Sequence, residues 1–215
     1  MKKILFLFCC AFLLSNFTFG QVRIDIGVKG GLNFASVNTS STLAQDYSNR
    51  TGYHFGAYAM FKFTKFAIQP EVVFSKQGQT YSTPNYSNAT SNFDYINIPI
   101  MLKFYLLEGL NLQAGPQFGF LASSSGYVYN TTTNNVTVQS LSSLVKSSDV
   151  SLAVGAGWDL IFGLNITARY NLGLSDINKI TGASAPSNVS SLGTTEAKNQ
   201  VFQVSVGYRL FKLGK

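Results

Sequence analysis

The chain has 215 residues, 46% of them hydrophobic and only 12% charged, and a formal net charge of +7. The length suits one domain, and the composition excludes a disordered, highly solvated chain. Beyond the N-terminus no apolar run approaches the ~18 residues of a membrane helix, and no Lys/Arg cluster follows Lys2-Lys3, so the positive charge does not point to nucleic acid.

The first segment reads as a secretory signal peptide, residues 1–20. Met1-Lys2-Lys3 supplies the positive start, residues 4–14 an apolar stretch too short to span a bilayer, and Thr18 and Gly20 the small residues before a cleavage point at Gln21. Phe8 stands before Cys9, where a lipoprotein anchor needs a small residue. Cleavage removes both cysteines along with Lys2 and Lys3, leaving a net charge of +5. The mature chain then has no disulfide, thiol nucleophile or thiolate metal site.

Residues 21–215 read as one domain of eight strands, each alternating apolar and polar residues. The first sets Ile24, Ile26, Val28, Leu32 and Phe34 against Asp25, Gly27, Lys29, Gly31 and Asn33. The second sets Tyr53, Phe55, Ala57, Phe61 and Phe63 against His54, Gly56, Tyr58 and Lys62; the third sets Phe66, Ile68, Val72 and Phe74 against Gln69, Glu71, Ser75 and Gln77. In the fourth, Ile96, Ile98, Ile100, Leu102 and Phe104 alternate with Tyr95, Asn97, Pro99, Met101 and Lys103. In the fifth, Leu110, Leu112, Ala114, Phe118 and Phe120 alternate with Asn111, Gln113, Gly115, Gln117 and Gly119. The sixth carries Val150, Leu152, Val154, Ala156 and Trp158 against Ser151, Gly155, Gly157 and Asp159. The seventh carries Leu164, Ile166, Ala168, Tyr170 and Leu172 against Asn165, Thr167, Arg169 and Asn171. The eighth carries Phe202, Val204, Val206, Tyr208 and Leu210 against Gln203, Ser205, Gly207 and Arg209.

A soluble lipocalin-like barrel would turn the apolar face inward; a membrane barrel turns it to lipid. The polar face is rich in glycine and poor in charge, as suits a narrow interior, and aromatics gather near the strand ends, as interfacial girdles require. Residues 35–51, 78–92, 123–148 and 175–199 read as long polar loops, alternating with tight turns at Thr64-Lys65, Glu108-Gly109 and Phe162-Gly163. The fold expected is therefore an all-β, eight-stranded, antiparallel up-and-down transmembrane barrel with both termini periplasmic. Pro70, Pro99 and Pro116 fall inside strands, where each should mark a bulge or gap and could reverse the facing beyond it.

The run Gly27-Val28-Lys29-Gly30-Gly31-Leu32-Asn33, the central Tyr95-Ile96-Asn97-Ile98-Pro99, Ala114-Gly115-Pro116 and the Gln21 after the cleavage point resemble the PorT-like outer-membrane β-barrel family of Bacteroidota-type Gram-negative bacteria. The resemblance implies an outer-membrane location and no shared activity, since members differ in their loops.

Few residues invite chemistry. His54, the only histidine, has no second histidine or mature cysteine to complete a transition-metal site, and a structural or rim role is expected. An outer-membrane lipid hydrolase could use a His-Ser-Glu set, for which Glu71, Glu108 and Glu196 are the glutamates, but no G-x-S-x-G elbow is present. Trp158 reads as an interface anchor. The glycine clusters precede no helix and are not phosphate loops, and triplets such as Asn88-Ala89-Thr90 and Asn188-Val189-Ser190 read as accidents of composition. No catalytic residue, cofactor or metal is expected.

Glu71 and Arg169 each lie five residues from the periplasmic end of opposite strands, with Lys29 in the same layer. A lone carboxylate there needs a cationic partner. Glu71 is therefore expected to pair with Arg169, Lys29 or both as a polar plug; the alternative is that lumen water solvates each charge separately. The function expected is structural or surface interaction through the long extracellular loops, by a monomeric barrel in outer-membrane lipid meeting a protein or polysaccharide partner. A narrow channel for small solutes and a lipid-modifying enzyme are the alternatives.

Overall fold

The computed structural model describes residues 22–39, 47–83, 86–130, 135–140, 146–175 and 197–214. The signal-peptide segment, Asn188 and Glu196 lie outside the described residues. The chain forms β1 (Arg23–Thr39), β2 (Tyr47–Phe63), β3 (Phe66–Thr83), β4 (Tyr86–Tyr105), β5 (Leu110–Asn130), β6 (Asn135–Ser140), β7 (Ser148–Asp159), β8 (Leu164–Gly173) and β9 (Ala197–Leu213). A 3-10 turn, Ile161–Gly163, joins β7 to β8. Antiparallel pairing runs β1–β2–β3–β4–β5–β7–β8–β9 and returns from β9 to β1, closing an eight-stranded up-and-down barrel. Closure satisfies the backbone donors and acceptors that hydrocarbon cannot. β6 stands outside the ring and pairs with the upper end of β5.

The facing inverts that of a soluble protein. Ile26, Val28, Phe55, Val72, Leu112 and Val206 are exposed, while Asp25, Lys29, Glu71, Asn111, Arg169 and Ser205 are buried. A soluble monomer rarely exposes more than a few hundred Å² of contiguous apolar surface; here the whole wall is apolar, as lipid contact requires. Aromatic contacts mark both rims: Phe66 packs on Phe104 near the short turns, and Phe55 on Phe74 and Phe34 on Phe202 near the other end. Glycine on the inner face has a steric reason. A Cβ on Gly31 would lie 1.9 Å from the Val204 carbonyl oxygen and one on Gly155 2.2 Å from that of Ala168.

Two expectations are corrected. The segments 35–51, 78–92 and 123–148 are largely strand, not loop: β1 and β9 pair as far as Thr39 and Ala197, β3 and β4 as far as Thr83 and Tyr86, and β5 and β6 form an added hairpin. The sequence of these segments lacks a clear apolar–polar alternation, but a chain rich in Thr, Tyr and Val still pairs. The prolines do not reverse the facing. The ladder is interrupted between Pro70–Ile100 and Val73–Asn97, and between Pro99–Gln117 and Leu102–Ala114, with the register kept on both sides. Shifts fall instead at Ile26/Gly27 against β9, Asn49/His54 against β3, Tyr81/Thr83 against β4 and Asp94/Tyr95 against β5.

Candidate functional site: the lumen

Alternation aims one residue in two at the axis, and the pairing of neighbouring strands stacks these residues in three tiers. The middle tier centres on Glu71 of β3. Its carboxylate accepts from Lys29 Nζ of β1 at 3.0 Å, from Arg169 Nη1 and Nη2 of β8 at 2.9 and 2.6 Å, and from Gln69 Nε2 at 2.7 Å. Arg169 Nε also donates to Gln113 Oε1 of β5 at 2.9 Å. One network thus links β1, β3, β5 and β8, and the three charged side chains are at most 4% exposed. The paired fork of Arg169 fixes orientation as well as charge. Two cations face one carboxylate, so the cluster carries a net charge of +1.

Sequence reasoning missed the other tiers. Toward the long hairpins, His54 Nδ1 lies 2.7 Å from Asn33 Oδ1, which can only accept. His54 Nδ1 therefore donates, and Nε2 lies 2.9 Å from Ser205 Oγ, whose hydroxyl donates to it in the Nδ1–H tautomer. Asn33 Nδ2 donates to Ser75 Oγ at 2.9 Å, and Gln203 Nε2 donates to Asn33 Oδ1 at 2.9 Å. The order serine–histidine–asparagine is that of a nucleophilic relay, but His54, Ser205 and Asn33 are all buried. Ser205 Oγ faces the histidine. Glu71 is committed to the middle tier, and Glu108 lies in the β4–β5 turn.

Toward the short turns, Asp25 pairs with Arg23 and, at 3.3 Å, with Arg209. Tyr105 Oη donates to Asp159 Oδ2 at 2.5 Å, Lys103 Nζ lies 3.5 Å from Asp159 Oδ1, and Lys62 Nζ sits 3.5 Å from the centre of the Tyr105 ring. A cavity of about 20 Å³ beside Asp25, Gln69 and Lys103 has room for about one water. Among the described residues no group of three His, Cys, Asp or Glu could hold a metal ion. Trp158 is exposed on the outer wall, paired with Leu110 beside the β7–β8 turn.

A closed ring with an apolar wall and a charged, buried lumen defines an integral outer-membrane β-barrel. Residues 18–179 match the family model described as the outer membrane protein beta-barrel domain, and the chain belongs to that family. Neisserial surface protein A is similar in fold, with a TM-score of 0.50 at 10% identity over 86% of this chain and 97% of that one. Ail, the attachment invasion locus protein of Yersinia pestis, gives 0.46 at 15% identity over 89% and 99%. OprG from Pseudomonas aeruginosa gives 0.44 at 12% over 90% and 96%. No curated protein matches this sequence.

Proposed function

We propose that this outer-membrane barrel works at the cell surface through its extracellular hairpins and loops, with the lumen held shut. The observation that carries this reading is the Lys29–Glu71–Arg169 cluster, which crosses the barrel with its three side chains buried. An eight-stranded barrel is just wide enough for side chains to fill, and salt-bridged side chains fill this one. The short turns and both strand ends, Ile24 beside Leu213, lie at one end of the barrel. That end is taken as periplasmic, by the loop asymmetry of such barrels. The opposite end bears the β3–β4 and β5–β6 hairpins and the ends of β8 and β9, and it offers the surface for a protein or polysaccharide partner. The glycine-rich opening of β1 and the Tyr95-to-Pro99 segment support a PorT-like place within the family. The buried relay serine argues against lipid hydrolysis.

Crosslinked outer membranes test the reading. Intact protein should capture a partner that is lost when residues 176–196 and the β5–β6 hairpin are replaced by short Gly-Ser turns in a barrel that still folds. Equal capture by both forms would remove the surface role from these segments.

A further inference from the structure

Pro70, Pro99 and Pro116 stand on the successive strands β3, β4 and β5, and none has an N–H to give to a neighbour. The pairing locates each loss. Between β2 and β3 it lapses from Tyr58–Glu71 to Phe61–Ile68, where Pro70 stands opposite Ala59. Between β3 and β4 it lapses from Pro70–Ile100 to Val73–Asn97, where Pro99 stands opposite Glu71. Between β4 and β5 it lapses from Pro99–Gln117 to Leu102–Ala114, where Pro116 stands opposite Ile100. The carbonyls of Ala59, Glu71 and Ile100 thus lose their strand donors in three adjoining seams, one residue further along at each step. No register shift falls at any of the three.

The rest of the ring has no such line. β1–β2 pairs without a break from Arg23–Lys62 to Ala35–Arg50, and β5–β7 from Leu110–Trp158 to Phe120–Ser148. β7–β8 pairs without a break from Ser151–Gly173 to Asp159–Asn165, and β8–β9 from Leu164–Tyr208 to Leu172–Gln200. β1–β9 has a single shift, at Ile26/Gly27. Proline inside a sheet removes a ladder bond, and in hydrocarbon no water replaces the lost donor. Three losses side by side make β3 and β4 the weakly stitched part of the wall.

Contacts across the lumen hold this part at three heights. Toward the long hairpins, Ser75 Oγ of β3 accepts from Asn33 Nδ2 of β1 at 2.9 Å. Toward the short turns, Tyr105 Oη of β4 donates to Asp159 of β7. Between them, at the missing bonds, the hold is Glu71, which follows Pro70 and stands opposite Pro99. Its carboxylate reaches Lys29 on β1 and Arg169 on β8, both on the well-stitched arc. We propose that β3 and β4 form a compliant panel of the wall, latched to that arc by the Glu71 carboxylate. Releasing Glu71 lets the panel bow outward while the arc keeps its shape. This rests on the reading of the lumen as held shut, and adds which side of the wall gives way.

Amide hydrogen exchange, followed by NMR on protein of residues 21–215 refolded in detergent micelles, reads local opening residue by residue. In the unmodified protein the amides of Ala59, Glu71 and Ile100 should exchange at least about tenfold faster than those of Gly155 and Gln203, which flank Arg169 on the arc. Glu71→Gln keeps the side chain's size and removes its charge. It should speed the panel amides several-fold further and leave Gly155 and Gln203 unchanged. Pro116 faces outward, and Pro116→Ala returns a donor opposite the Ile100 carbonyl. It should slow exchange at Ile100, and because it leaves the cluster intact it decides the matter even if Glu71→Gln does not fold. Equal protection on both sides of the ring in the unmodified protein overturns the panel. So does acceleration by Glu71→Gln that is equal all round, or Pro116→Ala that leaves Ile100 unslowed. Conductance and partner capture are separate readouts, so the panel can fail while the shut lumen and the surface role stand.

Discussion

Replacing Glu71 with alanine removes the acceptor of four hydrogen bonds and leaves Lys29 and Arg169 buried without a counter-charge. Breaking one side of a buried pair costs about 3–5 kcal/mol, because the remaining charge stays desolvated. Two cations remain here, and Lys103 lies below them with only a 3.5 Å contact to Asp159, so the upper part of that range is expected. Removing all three charges, as Glu71→Leu with Arg169→Met and Lys29→Met, should recover most of the loss, since apolar replacement of a buried cluster is often near neutral. Urea unfolding in vesicles, followed by Trp158 fluorescence, measures both variants. A triple variant that loses as much as the single losses combined would refute the coupling. A loss below about 1 kcal/mol for Glu71→Ala would mean that water solvates each charge separately, as at a surface pair.

Val154 faces lipid halfway along β7, so Val154→Arg should cost about 2–4 kcal/mol in the same assay; a neutral effect would place this residue away from the hydrocarbon. Gly30 and Gly31 are neighbours with opposite tolerance. Gly31→Ala should prevent the heat-resistant compact form on gels, because its Cβ would meet the Val204 oxygen, while Gly30→Ala, whose nearest contact is 3.4 Å, should fold normally. Mass spectrometry of the protein from outer membranes should find Gln21, or a residue close to it, at the N-terminus; retained residues 1–14 would refute the signal-peptide reading.

How much could be read in the sequence follows from the solvent on each face. Inside the bilayer the outer face meets lipid and the inner face meets packed polar side chains, so Ile24, Ile26 and Val28 alternate with Asp25, Gly27 and Lys29 and the facing is plain. Farther from the short turns the sequence carries no such alternation, and the pairing of Gln79 with Ser91 or of Val128 with Thr137 leaves no periodic trace. Tight turns supplied depth markers, and counting from them sets Glu71 and Arg169 at one height. The contact of His54 with Ser205 spans 151 positions, and that of Arg209 with Asp25 joins the first and last strands. Both depend on how β9 closes onto β1, which no local pattern encodes. The turn at Phe162-Gly163 was legible from its glycine, whereas the left-handed Phe162 runs against residue preference and shows only in the backbone.

Single-channel recording in planar bilayers tests the closed lumen most directly. Purified, folded, unmodified protein should insert, as shown by protease protection in matching vesicles, yet give no steady conductance in a small monovalent salt. Glu71→Ala, which frees Lys29 and Arg169 from their shared carboxylate, should give intermittent openings that favour anions. Steady conductance by the unmodified protein, unchanged by Glu71→Ala, would contradict the account and establish a narrow channel instead.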